Sequence, residues 1–205
     1  MGRRIVLLDS ETTGLDPQMG AEAWEYGLIE YSLPGDRVLP GWTGIRHLYR
    51  VEPDLAFADE ASLDVCRYRE RTAGMLPPAA PGRAHDLALT DADQRWSTRA
   101  GLAAELIQLL DGRTVVCAVP TFDIPFARKL LDAHAYPAPW HYRVRDIESI
   151  AWGWLARHGA GVPLDAGLHD LARAIDVDPD RYVTHTALGD CDLMAAILDR
   201  TGVPA

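Results

Sequence analysis

Ile5-Val6-Leu7-Leu8-Asp9-Ser10-Glu11-Thr12-Thr13-Gly14 is an apolar run that ends in two carboxylates and then a turn. The run, taken from Arg3 to Asp9, reads as a buried strand, and Thr13-Gly14 closes it. Residues i and i+2 of a strand share a face, so Asp9 and Glu11 can converge on one spot. Near the other end of the chain, His185-Thr186-Ala187-Leu188-Gly189-Asp190 places a histidine and a carboxylate at the start of a helix. Carboxylates gathered from distant segments repel one another unless cations lie between them. The pattern therefore predicts a divalent-metal site, and its oxygen-only ligands favour Mg²⁺ or Mn²⁺.

The sequence between these two fragments alternates strand and helix. Trp24–Ser32 and Ile45–Val51 read as further strands, with Gly35, Pro40 and Gly41 between them. Asp59–Arg71 reads as one charged helix. Residues 74–95, with Pro77, Pro78, Pro81 and Gly82, read as a long loop inside a single domain spanning 1–205. A helix capped at Ser97 carries the stripe Leu102, Leu106, Leu109 and Leu110. Thr114–Val119 is a strand, and Phe122–His134 a helix that tolerates Pro125 only in its first turn. Ile147–His158 and Leu168–Ile175 are helices. The last helix, Thr186–Arg200, buries Ala187, Cys191, Met194, Ala195 and Leu198, with Gly202 just past its end. Three early strands followed by alternating helix and strand make an α/β sheet domain.

Composition narrows the function classes. The chain has 205 residues, enough for one well-buried core, and no apolar stretch near the ~20 residues of a membrane span. Met1-Gly2-Arg3-Arg4 runs straight into the strand pattern with no signal-peptide h-region. Cys66, Cys117 and Cys191 stand far apart without pairing or metal spacing, which fits buried thiols in a reduced, cytoplasmic setting. A net charge of −10 argues against broad, nonspecific binding to nucleic acid. It leaves room for an enzyme that meets phosphate through bound cations. Lys129 is the only lysine against nineteen arginines, so direct phosphate contacts would be mostly guanidinium forks.

Asp9-x-Glu11-Thr12-Thr13-Gly14, Phe122-Asp123 and His185-x-Ala187-x-x-Asp190 occur in the order used by the DEDDh 3′→5′ exonucleases, and the chain resembles that family over nearly its whole length. The family includes the proofreading epsilon subunit of DNA polymerase III, ribonuclease T and oligoribonuclease. Trp24-Glu25-Tyr26-Gly27 resembles its second strand, and Val144-Arg145-Asp146 the strand that ends in Asp before a helix. The resemblance implies a ribonuclease H-like fold, a mixed sheet flanked by helices.

It further implies two metal ions about 3.5–4 Å apart, acting on a water and a leaving oxygen. Asp9 would bridge them, Glu11 and Asp190 would complete one shell, and Asp123 would lie close to the other. His185, with an unperturbed pKa of about 6.5, would be the general base. Thr12, Thr13, Gly14, Leu15 and Phe122 would contact the terminal nucleotide, with Leu15 wedged at the last base. One departure stands out: Ala118-Val119 occupy the positions where the family usually has His-Asn.

The implied partner is nucleic acid with a free 3′ end, and a polymerase or replication partner comes with the likeness. An RNA-trimming enzyme and a binding module of the same fold with little turnover are the alternatives. Asp123 alone could cap its helix. Asp192 lies about 200° from Asp190 round the helix and is expected in solvent. The remaining histidines, among them His47 and His169, are expected at the surface or in packing, and the tryptophans in the core.

Overall fold

The computed structural model describes residues 4–32, 44–73 and 94–202. Among these residues, six strands form one mixed sheet in the order β4-β3-β2-β1-β5-β6. β1 (Arg4–Thr12) runs antiparallel to β2 (Ala23–Ser32) and parallel to β5 (Thr114–Cys117). β3 (Ile45–Arg50) lies antiparallel beyond β2, β4 (Gln94–Trp96) is parallel to β3, and β6 (Arg145–Asp146) is parallel to β5.

The pleat of β1 divides the core. Val6 and Leu8 pack with α3 (Arg99–Leu110) and α4 (Pro120–Asp132), whose Leu102, Leu106, Phe126 and Leu131 are buried there. Ile5 and Leu7 point the other way, toward α5 (Ile147–Arg157), α6 (Leu168–Ala174) and α7 (Ala187–Thr201). Alternate residues keep their faces, so Asp9 and Glu11 continue the row toward α7, whereas Ser10 continues the row toward α4. The α/β layering expected from the sequence is present. No helix among the described residues is long and apolar enough to cross a membrane, and all three cysteines are buried and free.

Several local expectations change. β1 continues three residues past Asp9, to Thr12, and its pairing with β2 slips between Glu11 and Thr12 as a bulge. The charged helix is two, α1 (Glu60–Val65) and α2 (Tyr68–Thr72), because Arg67 turns left-handed with φ 51°. The loop ends early, since Gln94–Trp96 pairs with β3, and the rest of it (74–93) lies outside the described residues, as do Gly35, Pro40 and Gly41. The cap of α3 is Thr98, not Ser97. α4 begins at Pro120, so Pro125 sits inside it and leaves the Thr121 carbonyl without its i+4 donor. In α7, Leu193 and Ile197 are buried while Ala195 is half-buried. Trp24 and Trp96 are core residues, and Trp42 lies outside the described residues.

α7 rests directly on the backbone of β2. A Cβ built on Gly27 would stand 2.3 Å from the Ala187 carbonyl carbon and oxygen. Gly27→Ala must therefore push the start of α7 off the sheet, an overpacking cost of about 1–3 kcal/mol. Denaturant melts should show that loss. Gly153→Ala, on an α5 face where a Cβ meets nothing within 4 Å, should hold or raise stability.

Candidate metal centre and active-site cleft

The end of β1 and the first turn of α7 build the site together. Asp9 and Glu11 project from one face of β1, and Asp190 is the fourth residue of α7. One oxygen from each of the three carboxylates can be chosen so that all lie within 4.8 Å of one another. Asp123 reaches the same cleft from α4 but stands slightly apart. It is 2% exposed, and its Oδ1 accepts hydrogen bonds from the Ser10 backbone N–H at 3.1 Å and the Ser10 hydroxyl at 2.7 Å. It is not a helix cap: Val119 holds that position, and Asp123 is the fourth residue of the helix.

His185 precedes α7 in a left-handed conformation, φ 56°. Its backbone is tied at both ends. The N–H donates to Asp190 Oδ2 at 3.0 Å, and the carbonyl accepts from Arg71 Nη1 at 3.2 Å. The side chain is exposed at the cleft, with the His169 ring 6.2 Å away. His169, expected to serve only packing or the surface, is thus a neighbour of the site.

All five residues line one open cleft of about 380 Å³, together with Thr12, Leu15 and Phe122. Leu15 is 77% exposed at its rim, and Val65, Val119 and Phe122 extend an apolar wall. Ala118 and Val119 form part of that wall. Thr13 and Gly14 lie behind it. Thr13 is fully buried, its N–H donating to the Glu22 carbonyl at 2.8 Å and its hydroxyl accepting from the Glu22 N–H at 2.9 Å. A Cβ on Gly14 would approach Ala21 Cβ to 3.0 Å. These two residues shape the turn that presents Leu15.

Burial and mutual repulsion dominate the electrostatics. Burial raises Asp9 well above the ordinary carboxylate range, and the charges of Asp123, Asp190 and Glu11 raise it further. Glu11 is pushed up to about 8 by burial and by Asp190 and Glu25, against the pull of Arg71. Asp123 rises to about 7 through burial, offset in part by the two Ser10 hydrogen bonds. Asp190 rises to about 6 through burial, offset by the His185 and Thr186 N–H groups. His185 moves down, first through the partial loss of water where it faces the cleft and then through the nearby His169 and Arg67. Asp192 points elsewhere, as expected, but it is half-buried and ion-paired with Arg46 instead of solvated.

Sequence reading missed the device that holds α7 in place. Glu25 is 0% exposed, directly beside Glu11 in the β1–β2 register. Its carboxylate accepts from Arg50 Nε at 2.7 Å, from Arg71, and from the Ala187 N–H at 3.1 Å. Arg71 also lies over the Trp24 ring, 4.9 Å from its centroid. The available signal was a glutamate inside an otherwise apolar strand, Trp24-Glu25-Tyr26.

No protein-family model matches the chain, and no curated protein matches it. Solved structures do. The chain is similar to E. coli exonuclease I in complex with a dT13 oligonucleotide, with a TM-score of 0.65, 15% identity, and coverage of 98% of this chain and 41% of that one. It is similar to apo exonuclease I (TM-score 0.64, 16% identity, 98% and 42% covered) and to product-bound exonuclease I (0.64, 16%, 98% and 43%). The chain thus spans less than half the length of these proteins. What the likeness shows is the fold, a ribonuclease H-like mixed sheet flanked by helices, as the motifs implied.

Proposed function

We propose that the chain is a 3′→5′ exonuclease that hydrolyses single-stranded nucleic acid, releases nucleoside 5′-monophosphates and uses two divalent cations. The observation that carries this reading is the meeting of Asp9, Glu11 and Asp190 within 4.8 Å, in a cleft that Asp123 and His185 also line. Nucleases of the same fold, one of them solved with an oligonucleotide, support it.

The donor set fits hard cations. It offers only carboxylate oxygens, and their raised proton affinities are those of crowded, buried anions lacking a counter-charge. Asp9, Glu11 and Asp190 would hold one ion, with Asp9 and Asp123 reaching the second. When bound, Mg²⁺ or Mn²⁺ would stabilise charge on the phosphate and on the leaving oxygen and lower the pKa of a water.

The remaining work falls to protein groups. Phe122 and the exposed Leu15 offer an apolar bed for the terminal base, and stacking on such a surface contributes roughly 1–3 kcal/mol per base. Ser10 keeps Asp123 aimed into the cleft. His185 accepts the proton of the attacking water, and its depressed pKa keeps the imidazole neutral and ready to do so. Its tied backbone leaves the ring free to turn over the cleft.

Three outcomes follow from this chemistry. Linear single strands of DNA or RNA with free 3′ hydroxyls should yield mononucleotides in Mg²⁺ or Mn²⁺, whereas closed circles and 3′-blocked strands stay intact. Asp9→Asn should reduce product release to background while the protein stays folded. Linearisation of a circle by the wild type would overturn the reading.

His185→Ala should lose about 10²–10⁴-fold in kcat. The wild-type rate should rise with pH through the histidine limb, and the variant should lack that limb.

The third outcome concerns stability without metal. The site carboxylates bind protons more tightly folded than unfolded, where their pKa values are about 4. The folded state therefore holds extra protons from about pH 4 up to the values of 6 to 8 reached here. Their contribution is greatest at the acid end and is lost as pH rises. The melting temperature of metal-free protein, measured against Glu11→Gln, should fall across that window. Adding Mn²⁺ should restore more at pH 8 than at pH 6, and a flat difference with no metal effect would count against the cation site.

A further inference from the structure

A second concavity, of about 430 Å³, lies across the first turn of α7 from the catalytic cleft. Arg46, Arg50, Arg67, Arg71 and Arg181 line it, opposed only by the carboxylates of Glu25 and Asp192. In a chain of net charge −10, this is a local concentration of positive charge. We propose that this groove binds the phosphodiester backbone of the substrate strand, on the 5′ side of the nucleotide being removed. The proposal rests on the exonuclease reading above and adds to it a second contact region for the strand.

Groove and cleft lie on either side of the start of α7. Glu11, Glu25 and Arg50 stand at one level of the sheet on neighbouring strands, so the groove residues Glu25 and Arg50 lie one and two strand spacings, about 5 and 10 Å, from Glu11 along the sheet. The start of α7 is their common wall: His185 and Asp190 line the cleft, Thr186 and Gly189 the groove. The arginines divide by role. Arg50 and Arg71 are bound to Glu25, and Arg46 is paired with Asp192. The side chains of Arg67 and Arg181 are exposed and form no hydrogen bond or ion pair among the described residues. Arg67 sits at the left-handed break between α1 and α2, close enough to His185 for its charge to lower the affinity of the imidazole for a proton.

Guanidinium forks match phosphate oxygens in two-point geometry, and Arg67 and Arg181 are available for it without breaking a pair. An acidic peptide is the competing occupant. It would gain nothing from the neighbouring carboxylate cleft, whose charge repels it, whereas a strand whose end is in the cleft has only the start of α7 to cross to reach the groove.

The test uses the full chain in the Asp9→Asn background, with fluorescence anisotropy of a labelled oligothymidylate or oligouridylate dodecamer at several salt concentrations. Arg67→Ala/Arg181→Ala is compared with the parent, and the charge-reversed Arg67→Glu/Arg181→Glu pair gives a larger effect in the same direction. Both positions are exposed, and thermal melts confirm folding. The expected result is at least tenfold weaker binding of the dodecamer, a much smaller change for a dinucleotide, and a salt slope reduced by about 0.7 per arginine removed. Equal affinity and equal slope in parent and variant overturn the groove while leaving the exonuclease reading intact. Tighter binding of polyglutamate than of the dodecamer, lost in the variant, overturns it in favour of an acidic protein partner. An Asp9→Asn parent that binds no strand, together with a wild type that degrades none, sinks the exonuclease reading, and the groove with it.

Discussion

A carboxylate with no access to water organises the functional end of this molecule. Glu25 is fully buried in β2, where it meets Arg50 from the neighbouring strand, Arg71 from α2 and the N–H of Ala187 at the start of α7. An unpaired charge in such a position is untenable, and removing one partner of a buried pair typically costs about 3–5 kcal/mol. The pairing therefore fixes β3, α2 and α7 against β2. Arg71 extends the chain of contacts to the His185 carbonyl, so His185 and the helix carrying Asp190 share one anchor.

The same region works against stability elsewhere. Asp9, Glu11, Asp123 and Asp190 are drawn together although burial and mutual repulsion disfavour their charged forms. The core on both faces of β1 supplies the rigidity that keeps them there. Close backbone contact helps: Gly27 lets α7 lie on the sheet, and Cys191 donates to the Gly27 carbonyl beneath it at 3.3 Å. The hydrogen bonds of Ser10 hold Asp123 on the opposite side. Strain from like charges is tolerable because every carboxylate has a backbone position it cannot easily leave.

The two sides of α7 carry opposite fields. One is a carboxylate cleft with an apolar wall, which would accept a phosphate only with cations present. The other is an arginine groove that needs none. The net negative charge disfavours broad attraction to nucleic acid, and the positive potential is gathered in the groove proposed to receive the strand. Ala118 and Val119 belong to that apolar wall.

Local periodicity in the sequence determined the sheet-and-helix layering, the shared face of Asp9 and Glu11, and the inward turn of Asp190. Each of these follows from a repeat of two or 3.6 residues that neighbouring side chains reveal. The tertiary structure alone decided which polar groups meet. Ser10 and Asp123 are 113 residues apart, and Glu25 and Ala187 are 162 apart. Nothing in their local patterns marks them as partners. Thr13 reads like a cleft residue but turns inward because Glu22 bonds both its backbone and its hydroxyl. Asp192, read as solvated, finds Arg46 across the chain. Hydrophobic burial is a property of one residue and its near neighbours, so sequence carries it. A hydrogen bond or ion pair needs two particular atoms brought within about 3 Å, and only the register of strands and the seating of helices decide that.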